Sequence, residues 1–342
     1  MTLLIEKHPQ PDFFIGDIFD STPFKDDMAS MAHPIFTLSK KKDMRVLEYK
    51  KNNISILIAP NLRHGLPTIF DKDVLLYCGS LLMQEVNAGR TPAKTLRISS
   101  HDLLVATNRP TSGEGYMLLR KALDRLQSVS IRTNIKTHRC EQTSAFGLID
   151  SYDIIESSRV KNRMIRLEVT LSDWFYNSIM GAEVLTISRE YFRLGKPIER
   201  RLYEIARKHC GTQKQWLIGL EAIREKTGAT SPLNKFRMNI KAIAKVNQLP
   251  DYTIEYVQTT DSIVFRNRGT WQKETPVTQG TLPNLPPDAY EQARKVAPRY
   301  DVYYLEQEFR EWWHSTGKPA PKSVKAAFIG FCKQRHKSHP CP

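Results

Sequence analysis

The sequence predicts an α+β chain: two winged helix-turn-helix domains in tandem, followed by a small helical C-terminal module. Three observations carry that prediction. The order helix, turn, second helix, hairpin occurs between residues 99 and 156 and recurs between 217 and 268. The balance of 51 Lys and Arg against 36 Asp and Glu gives a formal charge of +15, which concentrates an anionic partner around the chain. A length of 342 residues at 40% hydrophobic content suffices for two domain cores and some extensions.

Taken in order, residues 1–34 are acidic and dotted with proline, show no sustained period, and predict an N-terminal arm. The first winged-helix domain is expected over 35–182. It opens with alternating apolar residues in RVLEYKKNNISILIAP, a strand, and continues in TIFDKDVLLYCGSLLMQEVNAG, whose spacing near 3.6 ends at Gly89. Ser99 and Asp102 resemble a capping box, NRPTSGEG is a turn, and YMLLRKALDRLQ is the second helix. SIRTNIKT and FGLIDSYDIIE then read as two antiparallel strands, a wing with its tip at HRCEQTSA. MIRLEVTLSDWFYNSIM supplies a further strand and helix.

The second domain is expected over 183–268. PIERRLYEIARKHC has Pro at the first helical position and Ile198, Leu202, Ile205 and Ala206 on one face, which predicts a core helix with a basic outside. LIGLEAIREKTG is an amphipathic helix stopped by Gly, ATSP is a turn, LNKFRMNIKAIAKVNQ is a helix stopped by Pro250, and YTIEYVQTTDSIVFRNR is a hairpin. Residues 269–287, rich in Pro, Thr and Gly, form a linker, and 288–342 form the small helical module and tail. Tyr304, Phe309, Trp312 and Trp313 at helical spacing there read first as core, although an exposed aromatic side chain could stack on single-stranded bases.

The two second helices differ in charge. With Phe236 at zero, Ile240 and Ile243 fall within about 40° of it, leaving Asn234, Met238, Lys241 and Lys245 outward, Lys235 beside them and Arg237 on the flank. That face carries no carboxylate, whereas a solvated helix ordinarily mixes signs. Between Phe192 and Pro250 stand thirteen Lys and Arg against four Asp and Glu. In a major groove, Arg or Lys can reach guanine and Asn can reach adenine, while the remaining cations hold phosphates. Arg266 and Arg268 at the end of the hairpin join this set. In the first domain Leu119, Leu123 and Leu126 face inward, and the outward residues are of mixed sign. Arg120, Lys121 and Arg125 are candidates for phosphate contact there, with a solvated face or a dimer interface as the other readings.

Several classes lack their parts. The nine His include no His-x-His pair for rolling-circle nicking and no His-x-x-Arg for tyrosine recombination, and no phosphate-cradling glycine loop with Lys occurs. No catalytic residue is assigned and no cofactor is expected. The longest apolar runs are a few residues and the N-terminus does not read as a secretory signal, so no membrane partner and a cytoplasmic location are expected. Five scattered Cys fit reduced thiols. Cys332, His336, His339 and Cys341 carry metal-capable atoms, but their spacing is unlike the paired zinc patterns and a tail is the preferred reading.

TISREYFRLGKPIERRLYEIARKHCG, followed by LIGLEAIREKTG and LNKFRMNIKAI, resembles the replication initiator protein A family of bacterial plasmids over residues from about 35 to 268. The C-terminal segment is similar in pattern to a helical module of primosomal helicase-loading proteins. The resemblance implies paired winged helices that bind directly repeated double-stranded origin sequences (iterons), open an AT-rich segment and recruit the host initiator and replicative helicase. It also implies binding as a monomer and a homodimer, formed through the first domain, that represses the chain's own gene. Asn234 to Lys245 is the segment that it marks as the groove reader. A transcriptional repressor without an origin-opening role is the alternative, and an RNA-binding or partition factor a more distant one.

Overall fold

The computed structural model describes residues 7, 23–51, 54–135, 145–156, 164–181, 183–269, 282, 285–315, 321 and 323–338. Residues 24–32, expected within an arm, are instead built into the core. Phe24–Asp27 (β1) pairs antiparallel with Val184–Ile187 (β8), and Met28–Ala32 (α1) packs on Pro197–His209 (α6). All four residues of β1 are buried, charges included, so the segment has neither alternation nor an apolar run to betray it. Asp27 is satisfied locally, accepting from the Ser30 N–H at 2.8 Å as the N-cap of α1, whereas Lys25 and Asp26 are satisfied from far along the chain. Lys72, at the start of the helix Lys72–Asn87 (α2), reaches Asp26 at 2.8 Å and Glu204 of α6 at 3.1 Å, while Arg201 reaches Glu204 at 3.0 Å. Burial pushes the Asp26 carboxyl well above its ordinary range. For Glu204 burial works the same way, but Lys72 and Arg201 outweigh it and hold that carboxyl low.

The basic outside expected of α6 is likewise corrected. Arg200, Arg201 and Arg207 are buried. Arg200 pairs with Asp73 at 2.6 Å and lies against the rings of Phe70 and Tyr191, and Arg207 donates to the Thr186 carbonyl. A helix wrapped by both halves of the chain has no outside, and its arginines face internal acceptors.

The segment expected as one strand is a hairpin, Leu47–Lys51 (β2) with Ile54–Ala59 (β3). Thr95–Ser99 (β4) leads into Ser100–Ala106 (α3), whose N-cap Ser99 accepts from the Asp102 N–H, as the capping pattern predicted. A turn leads to Gly113–Ser128 (α4), on which Leu119, Leu123 and Leu126 are buried. The expected wing then divides. Ser130–Thr133 (β5) pairs with β3, whereas Ile149–Glu156 (β6) pairs with Met164–Leu171 (β7), and one bridge, Ile131 to Phe146, links the two stretches. Most of the expected tip, 138–144, lies outside the described residues. Asp173–Met180 (α5) follows as predicted.

After α6 come Gln215–Gly219 (β9), Leu220–Thr227 (α7), Leu233–Val246 (α8), Tyr252–Val257 (β10) and Ser262–Asn267 (β11). The strand order is β10-β11-β9 here and β4-β7-β6 in the first half. In each, a strand enters a helix, a turn and a second helix, and the last strand lies between the other two. The repetition therefore extends to topology, with β6–β7 in the place expected for β5–β6.

Pro287–Val296 (α9), Val302–Ser315 (α10) and Val324–Ser338 (α11) form the C-terminal module. Phe309 and Phe328 are fully buried at its centre, while Trp312 is 45% exposed. Lys25 of β1 forms a buried ion pair with Asp301, and Arg335 donates to the Asn87 carbonyl at 3.4 Å, so the module is seated on the first half. Among the described residues no helix is long and apolar enough to cross a membrane.

Candidate nucleic-acid interface

The turn that presents α8 is fixed locally. Gly228 ends α7 in the left-handed region at φ 70°, and a Cβ there would lie 2.8 Å from the Pro34 side chain. Arg224 of α7 donates to the Ser231 carbonyl at 3.0 Å across the turn. Beyond it, Phe236, Ile240 and Ile243 are buried, as the helical period predicted. At its far end Asn247, at φ 55°, caps α8, and its side chain bonds both the N–H and the C=O of Ile254, at 2.9 and 3.3 Å. The helix is thus locked to the hairpin that follows it.

Its outward side carries Asn234, Lys235, Met238, Lys241 and Lys245, all exposed, Met238 at 71%. No acidic residue stands in its first turn. Lys241 lies 4.8 Å above the Tyr256 ring of β10. Between α8 and the hairpin runs an open groove of about 550 Å³, lined by Lys241, Lys245, Asn247, Tyr256, Glu255 and Arg266 among others. Such a groove holds cations beside an aromatic face, a pairing suited to a sugar-phosphate strand.

Arg237 is more constrained than the sequence suggests. Its Nε and Nη2 donate to Asp261 of the hairpin turn at 2.9 and 2.7 Å, and the Tyr256 hydroxyl donates to the same carboxylate at 2.6 Å. The bonds from Arg237 first, and then from Tyr256, lower the Asp261 carboxyl to about 2. A guanidinium has five N–H donors in a planar fork, so its Nη1 edge lies away from the two bonds to Asp261. Tyr256 and Asp261 were not singled out in the sequence, and the Thr-Thr-Asp turn facing a basic helix was the available signal.

The remaining candidates separate. Arg266 is exposed and bonds Glu255 at 2.9 Å and also Gln215. Arg268 donates to the carbonyls of Leu249 and Tyr252 at 3.3 and 3.2 Å and to that of Asn247, so it closes the segment after α8. On α4, Arg120 and Lys121 are exposed, beside Met117 and Leu118 at 46% and 42% exposure. Arg125 instead grips buried Asp71 with two bonds of 2.7 Å, a structural strut rather than a phosphate contact. Cys332 is buried, with its thiol pushed up to about 12 by burial, and His339 and Cys341 lie outside the described residues. Among the described residues no group of His, Cys, Asp and Glu is arranged to hold a metal ion.

A basic chain of helices and small antiparallel sheets, with a carboxylate-free helix face beside a cationic groove, has the form of a DNA-binding protein. The sequence model of the family described as Replication initiator protein A matches residues 25–254, and the chain belongs to that family. A "Putative replication protein" of Wigglesworthia glossinidia brevipalpis is 40% identical over 259 residues, covering 75% of this chain and 94% of that one. Among solved structures, a crystal structure of RctB domains 2-3 is similar with a TM-score of 0.48 at 12% identity, over 70% of this chain and 96% of that chain. A selenomethionine derivative of RctB domains 2 and 3 is similar with a TM-score of 0.48 at 11% identity, over 69% and 94%.

Proposed function

We propose that this replication initiator binds directly repeated duplex sequences at an origin through two winged-helix units, with α8 as the major-groove reader. The observation that carries it is the outward face of α8. Lys235, Lys241 and Lys245 stand there without a carboxylate, alongside the groove that ends in Arg266. Phosphate contacts supply most of the affinity, and Asn234, Arg237 and Met238 contribute sequence preference. Arg120 and Lys121 of α4 contact phosphates of the neighbouring groove. The protein then opens the adjacent DNA and recruits the host initiator and helicase, acting without catalysis of its own, in the bacterial cytoplasm. A homodimer joined through the first unit is its non-initiating form.

Footprinting of the purified protein on the DNA flanking its own gene tests this reading. Protection of evenly spaced direct repeats is expected. A single protected inverted operator would place the chain with repressors instead.

A further inference from the structure

The run Ser39–Lys40–Lys41–Lys42–Asp43–Met44–Arg45 lies in the first half of the chain but borders α8 in space. Lys42, Arg45, Ser39 and Asp43 line one side of a cleft of about 500 Å³, and Thr230, Ser231 and Asn239 line the other. We propose that this loop is a second phosphate-binding site for the same duplex, on the flank of α8 opposite the hairpin. The proposal rests on α8 being the groove reader.

Three observations support it. The loop is preorganised, because its one acidic residue is turned inward. The Asp43 carboxylate accepts from the Thr37 hydroxyl at 2.6 Å and from Arg45 at 2.9 and 2.6 Å, and its backbone carbonyl accepts from Leu66 at 2.9 Å. A loop already ordered loses little entropy on binding. Its lysines are also uncompensated: Lys40 and Lys42 donate to the carbonyls of Gly195 and Leu62, at 3.0 and 2.7 Å, and Lys41 is exposed. Among the described residues none of the three forms an ion pair with a carboxylate; Lys42 lines the cleft shared with α8, Lys40 also lies 5.7 Å from the centre of the Phe70 ring, and all three are exposed.

The third observation is placement. A helix about 10–12 Å across seated in a major groove about 12 Å wide has one sugar-phosphate strand on each flank. The Lys241–Lys245–Arg266 groove borders α8 on the hairpin side, and the loop borders it through the cleft at Ser231 and Asn239. The two basic walls suit the two strands.

The test is duplex binding by the full chain, measured by fluorescence anisotropy against salt concentration. It compares Lys41→Ala, the triple variant Lys40→Ala/Lys41→Ala/Lys42→Ala, and Lys241→Ala/Lys245→Ala, on a duplex carrying the footprinted repeat and on an unrelated one. Because Lys41 has no role in packing, its variant keeps the fold. The slope of log affinity against log salt is expected to fall by about 0.9 for Lys41→Ala and by about 2–3 for the triple variant, with the ratio between the two duplexes unchanged. An unchanged slope in both loop variants, with a lowered slope in the α8 variant, overturns the loop site and leaves α8 as the reader. Unchanged slopes in all three overturn the proposed function as well.

Discussion

Lys121 and Arg125 lie four residues apart on α4, and only Lys121 keeps its charge toward solvent, because buried Asp71 takes Arg125 with two bonds of 2.7 Å. Arg125→Ala should therefore cost stability, about 3 kcal/mol, by leaving Asp71 without its partner. Urea denaturation would show the loss, while the salt dependence of duplex binding by the folded protein stays that of the native chain. Arg237 is the opposite case, since its carboxylate partner Asp261 is at the surface and aims the guanidinium without burying it. Arg237→Ala is expected to cost about 1–3 kcal/mol on the repeat and less on unrelated duplexes. Equal losses on both, read by anisotropy, would reduce Arg237 to a strut between α8 and the hairpin. Lys245→Ala should weaken all duplexes alike and lower the salt slope by about 0.9. None of these partners was legible in the sequence: helical period shows which side of α4 or α8 faces out, but not that a distant Asp71 or Asp261 awaits there.

At the scale of elements, α3, α4, α7 and α8 were legible because their signals are local: caps, a period near 3.6, and turn residues such as Gly228. The strands were legible as strands but not in their pairing. β5 and β6 are near in sequence, yet they join different sheets through β3 and β7, because register depends on which apolar faces meet the core. The junction of α1, α6 and β9 carries a pH dependence. His33 caps α1, and His209 ends α6 stacked on Trp216 at 4.8 Å. Both are lowered from 6.5 to about 4 by burial first, and then by Lys226 and neighbouring cations. A folded-state value below the unfolded one means that the unfolded chain binds more protons between those limits, so stability is complete above pH 6.5 and is lost as pH falls toward 4. Urea midpoints measured across that range should fall. His209→Phe, which keeps the stack on Trp216, should flatten the trend, and an unaltered trend would move its origin elsewhere.

For the whole molecule, the C-terminal module and the first β-strand are joined by the buried Lys25–Asp301 pair. Deleting residues 283–342 is expected to spare binding to the repeat, because α8 and its hairpin lie outside the module, and to abolish plasmid maintenance in a replication assay. It should also lower thermal stability by uncovering Lys25, whereas maintenance at normal copy number would remove the module from the initiation step. Short-range periodicity and motif suffice for the mixed α+β composition, the repeated helix-turn-helix order, the stripe that buries Phe236, Ile240 and Ile243, and the family. Which charges lie at the surface and which in the core follows only from long-range packing. Lys25, Asp26, Lys72, Arg200 and Glu204 read as solvated residues along the chain, and they are buried because each meets an opposite charge brought from a distant element, while Arg201 pairs with Glu204 inside α6 and donates to the distant carbonyls of Ser30 and Lys226. Desolvating a charge is tolerable only with such a partner, and a partner tens or hundreds of residues away leaves no mark on local sequence.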